Sequence, residues 1–293
     1  MEISARLRDR FPRLSCEESF DFSRHTTIGC GGIASVAVSP SDTEETTALL
    51  GWLEREHIPF CFLGVGANVL PADGFYEGVV IRFWRLNALR AEGMSVIAGA
   101  GVTGGQLLRF AEKRGIGGFS PFSGIPMSLG GGTAMNAGVR ELHFSDVVHS
   151  VLCAEKGKLF TFSKSDCAFS EKKSIFQQGI AVLGVRLEGR MASSADIARE
   201  SCYFRTRRKN LPKGRSMGCT FVNPSGISAG ALIEQCGLKG LRVGGAYVSS
   251  EHANFILNEN ATAEDISRLI AQIKTRVKEK TGIDLREEIR RIP

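Results

Sequence analysis

Hydrophobic and polar positions along the first 115 residues follow two periods, one typical of strands and the other of helices. Residues 33–39 are predicted to form a short strand. After Asp42 the apolar positions repeat every three to four residues, which predicts a helix with Glu45 at its capping-box position. Further strands are predicted at 60–63, 79–83 and 95–98, and a further helix at 105–114. The alternation indicates a fold that mixes helices and strands.

The pattern changes beyond residue 115. Residues 115–138 have no apolar periodicity, and twelve of the forty residues from 99 to 138 are glycine, which predicts a long functional loop. Residues 147–187 alternate as short strands do, and the polar, basic residues 190–217 are interpreted as a domain boundary. The remaining predictions are a helix at 229–235, a strand at 253–257 and a long helix that follows Thr262 and ends at Gly282.

Composition and charge restrict the class of protein. With 293 residues and 43% hydrophobic content, the chain has enough apolar material for a core, which excludes a disordered protein. The net charge of +6 is mild and suits an acidic small ligand as well as nucleic acid. We find no signal peptide and no run of about 18 apolar residues that would cross a membrane. Eight scattered cysteines without a CxxC pair predict reduced thiols in the cytosol.

Residues 99–104 match the GxGxxG pattern of dinucleotide-binding loops. That fingerprint also needs an acidic residue about 20 positions later to bind a ribose. The sequence there is Phe122-Ser123-Gly124-Ile125, without a carboxylate. A nicotinamide dehydrogenase that uses this loop is therefore only a minor alternative.

Two other glycine loops, at 63–68 and 124–132, are better candidates for a phosphate site. Consecutive backbone N–H groups in tight turns make a concave anion site, and glycine lets a diphosphate approach closely. Two such loops brought together can hold a dinucleotide from both sides. Either loop alone is explained equally well as a simple turn.

Together with three further motifs, these loops resemble the UDP-N-acetylenolpyruvoylglucosamine reductase family. The resemblance runs from about residue 25 to residue 292 in family order. Val65 and Ala67 depart from the family's LGGGSN loop. The matching segments are His25-Thr26-Thr27 before Gly31-Gly32 (family NTT…GG), 63–68 (LGGGSN), 99–102 (GAGV), 124–138 (GIPGSVGG…QNIGA) and 244–255 (GGAxVSxKHANF).

The resemblance implies an α+β fold. Its two-part FAD-binding unit, of the vanillyl-alcohol oxidase-like type, would occupy residues 1–84 and 85–190, and an α+β substrate-binding domain residues 191–293. The chain resembles the shorter class of the family, which lacks a loop tyrosine over the substrate.

The implied reaction has two halves. NADPH reduces FAD, and the reduced flavin reduces the enolpyruvyl ether of UDP-N-acetylglucosamine enolpyruvate to UDP-N-acetylmuramate for peptidoglycan. We therefore expect a cytoplasmic, monomeric flavoprotein oxidoreductase for cell wall biogenesis, cell shape and cell division. Its partners would be a UDP-sugar and NADPH, with no metal, nucleic acid or membrane.

Three residues fall on catalytic positions of the family. Cys219 replaces the proton-donating serine of its SAGSxFKNP motif, and a thiol, with an ordinary pKa of about 8.5, is a far stronger acid than a hydroxyl. Glu288 falls on the glutamate of the terminal LxPEVR, although a one-residue slip would select Glu287. Lys172 falls on the arginine of CxFGYRDSIF; lysine lacks the planar fork, so Lys173 or an arginine from elsewhere is an alternative. The structural alternatives are a buried cysteine, a solvated acid and a surface charge.

The other implied site residues bind cofactor or substrate. Two rival functions remain: another flavin-dependent oxidoreductase on the same fold, and a non-enzymatic nucleic-acid binder that uses the basic stretch 199–215. The implied cofactor-binding residues are Gly64, Val65, Gly66, Ala67, Asn68, Gly124, Ile125, Pro126, Gly130, Gly131, Asn136 and Gly138. The implied substrate-binding residues are Arg207, Lys209, Asn223, His252 and Asn254.

Overall fold

A computed structural model describes residues 2–224 and 226–293. Its α-helices, in chain order, are α1 (Ile3–Arg10), α2 (Phe22–His25), α3 (Thr43–Arg55), α4 (Gly104–Glu112), α5 (Leu129–Ala134), α6 (Phe144–Val147), α7 (Ser194–Arg207), α8 (Ala229–Gln235) and α9 (Ala263–Thr281). Short 3₁₀ turns occupy Ser120–Phe122, Ile175–Gln178 and Arg208–Asn210.

The β-strands are more numerous than the helices and mostly short. In chain order they are β1 (Ser15–Asp21), β2 (Ile33–Ser39), β3 (Phe60–Phe62), β4 (Val69–Pro71), β5 (Phe75–Ile81), β6 (Leu89–Glu92), β7 (Ser95–Gly99), β8 (Ile116–Gly117), β9 (Gly138–Val139), β10 (Leu142–His143), β11 (Val148–Glu155), β12 (Lys158–Ser163), β13 (Ala181–Glu188), β14 (Arg190–Met191), β15 (Arg215–Cys219), β16 (Arg242–Val243), β17 (Ala246–Val248), β18 (Phe255–Asn258) and β19 (Arg290–Ile292).

The chain divides into two compact units. The first comprises residues up to 18, 35–65 and 78–209, and the second comprises 19–34, 66–77 and 210–293. The three-way division predicted from the sequence stays a prediction. The compact units divide the chain elsewhere because two early segments cluster with the C-terminal residues.

One core of the first unit lies around α3 and the sheet of order β1-β2-β5-β3. Leu49 and Leu53 are fully buried there, as their spacing predicted. The Asp42 carboxylate accepts the Glu45 N–H at 2.8 Å, which confirms the predicted N-cap. The Glu45 carboxylate bonds to the N–H of Ser41 instead of closing a capping box on Asp42.

A second core of the first unit lies on an antiparallel sheet of order β12-β11-β13-β7-β6. Strands β11, β12 and β13 confirm the strands predicted in 147–187. The helix predicted at 105–114 is α4, and Thr103 and Gln106 complete its capping box. Two cores within one unit agree with the two-part organisation that the sequence predicted.

One prediction in the first unit is wrong in part. Residues 115–138 are not one long loop, because they contain β8, a 3₁₀ turn and α5. The sequence did not predict α5 because its three consecutive glycines have low helix propensity. The basic stretch 190–217 contains helix α7, and the boundary between the compact units falls inside this stretch, after residue 209.

The second unit packs helices α8 and α9 on a sheet of order β15-β18-β17-β16. Helix α9 begins after Thr262, whose capping box with Asp265 is complete, and ends at Gly282 in the left-handed conformation with φ +74°. Its predicted apolar stripe is buried. Strand β19 pairs in parallel with β4, which joins the C-terminal segment to residues 69–71 within this unit.

Within the described part of the chain, no helix is long and apolar enough to cross a membrane. All eight cysteines are described, and none of them forms a disulfide.

Candidate functional site

The GxGxxG segment has a packing role. A Cβ added at Gly99 would lie 2.1 Å from the Leu86 carbonyl oxygen, and one at Gly101 would lie 2.1 Å from the Phe83 carbonyl oxygen. The preceding strand β7 is antiparallel to both β6 and β13, whereas the Rossmann loop follows a parallel strand. These glycines are needed because another backbone segment lies against them, which agrees with our rejection of the Rossmann interpretation.

The two glycine loops that the sequence selected meet within the first unit. A Cβ added at Gly64 would lie 2.8 Å from Ser128 Oγ and 3.9 Å from Gly131 Cα. Gly64 is exposed, and the Ser128 hydroxyl caps α5 by accepting the Gly131 N–H. We call this group, Gly64 with Ser128 to Gly131, the glycine cradle. Its exposed surface is backbone, without side-chain bulk at Gly64 or Gly131.

The GAGV segment, residues 99–102, hydrogen-bonds to the start of α5 in the glycine cradle. The N–H of Leu129 donates to the Val102 carbonyl at 2.8 Å, and the N–H of Gly130 donates to the Ala100 carbonyl at 2.9 Å. A Cβ on Gly130 would lie 2.9 Å from the Ala100 Cβ. Gly130 therefore permits a close approach of two backbone segments, while Gly64 and Gly131 border open space.

Arg208 lies against the second glycine loop, and sequence analysis missed this contact. Its Nε donates to the Gly124 carbonyl at 3.0 Å, and its stem covers Gly124, whose φ is +79°. The neighbouring Ser123 hydroxyl is buried and has no hydrogen-bond partner among the described residues. The signal that could have found Arg208 is its place in the basic stretch 199–215.

Two predicted cofactor residues have structural contacts of their own. The Asn136 side chain is buried; its amide donates to the Ser170 carbonyl at 3.0 Å and its Oδ1 accepts the Ser145 N–H at 2.8 Å. A Cβ on Gly138 would lie 2.2 Å from the Leu142 carbonyl oxygen, because β9 and β10 form a tight hairpin. Both residues help to fix the conformation of the chain that follows α5.

The glycine cradle fits the diphosphate of a dinucleotide cofactor such as FAD. The bare Cα atoms of Gly64 and Gly131 allow a phosphate to approach closely, and the Ser123 hydroxyl, near in sequence, is buried without a partner among the described residues. Among the described residues no cluster of His, Cys, Asp or Glu suits a metal ion.

Cys219 ends strand β15 in the second unit. The pairing of β15 with β18 shifts register between Ser216 and Cys219, and Gly218 in this bulge has φ +76°. Bulges redirect side chains at functional sites. The thiol is half-buried.

Glu288 lies beside Cys219 through the backbone. Its N–H donates to the carbonyl of Thr220 at 2.8 Å, and the N–H of Val222 donates to the Arg286 carbonyl at 2.9 Å. The segment that follows Cys219 therefore pairs with the segment that contains Glu288. The structure thus pairs the segments next to two residues, 69 positions apart, that the resemblance assigns to one reaction. We call Cys219 and Glu288 the acid pair.

Glu287 has a different environment. Its carboxylate forms ion pairs with Lys274 at 3.5 Å and with Arg291 at 3.1 Å. These pairs tie it to α9 and to the C-terminal strand. The arrangement favours the register in which Glu288 is the site residue.

Asn254 holds the chain next to Cys219. Its buried side chain accepts the Phe221 N–H at 2.9 Å and donates to the Phe221 carbonyl at 2.8 Å. Its carbonyl accepts the Thr220 N–H. His252 is half-buried, and its Nδ1 accepts the Asn254 N–H at 3.3 Å. The contacts of these predicted substrate residues are with the backbone of the site.

Thr27, from the opening His-Thr-Thr motif, hydrogen-bonds to the Gly66 loop and to strand β15 in the second unit. Its N–H donates to the Gly66 carbonyl at 3.0 Å, and its hydroxyl donates to the Ser216 carbonyl at 2.6 Å. The motif was noted in the sequence without a role for this residue. The structure gives it one, which is to hold the strand that ends in Cys219.

The other predicted residues are dispersed. Arg207 and Lys209 are exposed and belong to the first unit, where Arg207 pairs with Glu141. Asn223, in the second unit, accepts the Ala229 N–H at the start of α8. Lys172 is half-buried with φ +57°, and its carbonyl accepts the Gln177 amide at 2.9 Å.

Burial raises the pKa of several thiols other than Cys219. Desolvation raises the pKa of Cys30 and Cys167 to about 12 and that of Cys153 to about 11. These three side chains are buried, so they stay protonated and unreactive. Cys202 is exposed, and Cys16, Cys61 and Cys219 are half-buried, so a reagent reaches these four thiols more easily than the buried ones.

Comparison with known proteins identifies two known domains in the chain. Residues 209–292 match the UDP-N-acetylenolpyruvoylglucosamine reductase C-terminal domain, and residues 34–163 match an FAD binding domain. The chain is 38% identical to the UDP-N-acetylenolpyruvoylglucosamine reductase of Paramagnetospirillum magneticum, over 97% of this chain and 95% of that protein. It is 36% identical to the same enzyme of Geobacter metallireducens, over 99% and 97% of the two chains. The crystal structure of the Thermus caldophilus reductase superposes with a TM-score of 0.80 at 32% identity, covering 96% of this chain and 99% of that one.

Proposed function

The chain belongs to the UDP-N-acetylenolpyruvoylglucosamine reductase family, and from that membership we propose that Cys219 is its proton donor and NADPH its reductant. As a member, it is an FAD-dependent oxidoreductase that reduces the enolpyruvyl ether of UDP-N-acetylglucosamine enolpyruvate, a step in peptidoglycan precursor synthesis. The observation that carries the proposal for Cys219 is that the carbonyl of the next residue, Thr220, accepts the N–H of Glu288, the other residue of the acid pair.

The glycine cradle would hold the FAD diphosphate. Bound FAD supplies the hydride that reaches the methylene carbon of the enolpyruvyl group. Gly64 and Gly131 would line the diphosphate, because neither carries a side chain that limits the approach of the phosphate oxygens. Arg208 holds the neighbouring loop at Gly124 in the shape that the cofactor requires.

The acid pair would complete the reduction. As negative charge develops on the carbon next to the substrate carboxylate, the Sγ–H bond of Cys219 breaks and its proton moves to that carbon. The resulting thiolate regains a proton from solvent. Glu288 would hydrogen-bond the developing enolate, and Lys172, Lys173 or an arginine from elsewhere would offset its charge.

Five polar residues are implied to bind the substrate. Arg207 and Lys209 carry the charge that a nucleoside diphosphate needs, and Asn223 and His252 are polar. Asn254 would act by holding the backbone at Phe221, because its buried side chain is bonded there. Eight cysteines without a disulfide support a reducing compartment, and we place the enzyme in the cytoplasm as a monomer. Its product then serves the cell wall, and with it cell shape and division.

An absorption spectrum tests the cofactor. Purified protein should be yellow, with flavin bands at roughly 370 and 450 nm that NADPH bleaches and the enolpyruvyl substrate restores. A colourless protein that takes up no FAD refutes the function. A flavin that NADPH reduces but the enolpyruvyl substrate does not reoxidise points to another oxidoreductase on the same fold.

Rapid-mixing kinetics of two cysteine variants test the proton donor. In Cys219→Ala, NADPH should still bleach the flavin, while reoxidation by substrate slows by about 10²- to 10⁴-fold, the usual value of a general acid. Cys219→Ser should recover a large part of the rate, because a hydroxyl can donate the same proton. Cys202→Ala removes an exposed thiol outside the site and should leave both half-reactions unchanged. Normal reoxidation in Cys219→Ala would remove the thiol from the mechanism.

A further inference from the structure

Asn68 contacts the segment that carries Glu288. Its side-chain Nδ2 donates to the Glu288 carbonyl at 3.1 Å. Its own carbonyl accepts the Arg290 N–H at 2.9 Å, immediately before β4 and β19 begin their parallel pairing. All of these residues belong to the second unit. Asn68 therefore hydrogen-bonds to residues 288–290 through both its side-chain amide and its backbone carbonyl.

The same residue of the acid pair is held from its other side. The Glu288 N–H donates to the carbonyl of Thr220, next to Cys219. Glu288 thus has its N–H fixed by the Cys219 segment and its carbonyl fixed by Asn68. These two backbone bonds set where the Glu288 side chain starts.

We infer that Asn68 is a positioning residue for Glu288, an inference that rests on the proposed function. Sequence resemblance had assigned Asn68 to the cofactor, together with the rest of its loop. The structure shows its amide bonded to the peptide of Glu288, so its loss frees that peptide and lets the carboxyl group move. A displacement of about 1 Å at a reacting group can cost up to about a hundredfold in rate.

The physical reason for an asparagine at this position is its bonding capacity. A short amide reaches a carbonyl that is close in space but 220 residues away in sequence. A serine at residue 68 is too short to bridge the same gap, and an aspartate replaces the donor by an acceptor that faces the Glu288 carbonyl.

A double-mutant cycle tests this inference on the FAD-loaded enzyme. The four proteins are wild type, Asn68→Ser, Glu288→Gln and the double variant. In Asn68→Ser we expect flavin reduction by NADPH within about twofold of wild type and reoxidation by the enolpyruvyl substrate slower by about tenfold. In the Glu288→Gln background the same change should slow reoxidation less than twofold, because the group that it positions is already disabled.

A matched control separates positioning from general loosening. Asn258 also donates its Nδ2 to a distant backbone carbonyl in the second unit, that of Ile28 at 2.7 Å. Asn258→Ser should therefore lower thermal stability as much as Asn68→Ser or more, while the ratio of reoxidation to reduction rates stays as in wild type. If Asn68→Ser fails to fold, Asn68→Asp, which keeps the side-chain size, takes its place in the cycle.

Three results would overturn the inference. They are a full tenfold slowing by Asn68→Ser in the Glu288→Gln background, normal reoxidation in Asn68→Ser, and a loss of FAD affinity whose effect disappears at saturating FAD. Failure of the proposed function is visible separately, because wild-type flavin would then not be reoxidised by the enolpyruvyl substrate.

Discussion

The glycine cradle of the first unit and the acid pair of the second unit are built in opposite ways. The cradle consists of backbone: Gly64 and Gly131 leave space, and Ser128 caps α5 between them. The acid pair consists of two side chains whose positions depend on hydrogen bonds between segments far apart in the sequence. The cradle depends on how closely a phosphate can approach residues without side chains. The acid pair depends on the hydrogen bonds that hold the backbone of its two residues.

This contrast predicts different failures. Filling the cradle should weaken cofactor binding and leave the chemistry of bound FAD intact. Disturbing the acid pair should leave FAD bound and reducible but slow the return of electrons to the substrate. Each prediction below tests one side of the contrast, and the expected effects decrease in order.

Among the variants that follow, Glu288→Gln should have the largest effect. The amide cannot act as a carboxyl group at the developing enolate, so flavin reoxidation should slow by about a hundredfold while reduction by NADPH is unchanged. Stopped-flow absorbance at the flavin band measures both rates.

Glu287→Gln is the matched control. Glu287 pairs with Lys274 and Arg291, so its loss should lower the melting temperature slightly and keep reoxidation within about threefold. If Glu287→Gln is the damaging variant instead, the C-terminal motif is offset by one residue.

Gly64→Ala should lower FAD affinity by about tenfold, because its Cβ would occupy the surface that the diphosphate approaches. The new Cβ would also lie 2.8 Å from Ser128 Oγ, which could disturb the loop by itself. Gly64→Ala combined with Ser128→Ala removes that clash. Titration of the apoprotein with FAD should still show the loss of affinity in the double variant; recovery there would mean that the clash, and not the cofactor, requires glycine.

Thr27→Val should have a smaller effect on the acid pair. It removes the hydroxyl that bonds to the Ser216 carbonyl on the strand of Cys219, at an expected cost of about 1 kcal/mol in stability. Reoxidation should slow by about threefold as that strand loosens. Thr47→Val removes a hydroxyl bond of the same 2.6 Å length to the Thr43 carbonyl in α3, so it should reduce stability without slowing reoxidation. Equal kinetics in the two variants would deny Thr27 a role at the site.

The smallest expected effect is the loss of stability at low pH through the helix caps. It should be the same for the glycine cradle and the acid pair. Hydrogen bonding to the Glu45 N–H lowers the pKa of Asp42, and hydrogen bonding to Arg268 lowers the pKa of Asp265. Each carboxylate therefore stabilises the folded state above its unfolded pKa of about 3.9, and this contribution is lost as pH falls through the folded value.

Thermal unfolding between pH 7 and pH 3 measures this effect. Asp42→Ala should cost about 1 kcal/mol at pH 7 and show a weaker loss of stability on acidification than wild type. Both half-reactions should be unaffected at neutral pH. An unchanged acid dependence in Asp42→Ala would mean that this cap carries no linked proton.

Much of the fold could be predicted because it follows from local patterns. Strand β2, helix α8 and helix α9 lie where their apolar spacing and caps placed them. Helix α5 could not be predicted, since three glycines in six residues argue against a helix unless tertiary hydrogen bonds hold its start. The same limit applied to residues 190–217, where a polar composition concealed helix α7.

The sequence by itself determined the family and the glycine-rich loops and selected Cys219 and Glu288 as candidate site residues, because each depends on residue type and order. Only the tertiary structure decided that Gly64 meets Ser128, that Arg208 supports Gly124 and that Asn68 and Thr27 hold the segments of the acid pair. Those contacts join residues up to 220 positions apart. Local periodicity carries no information about them, because they arise when separate strands and loops pack and satisfy their backbone hydrogen bonds.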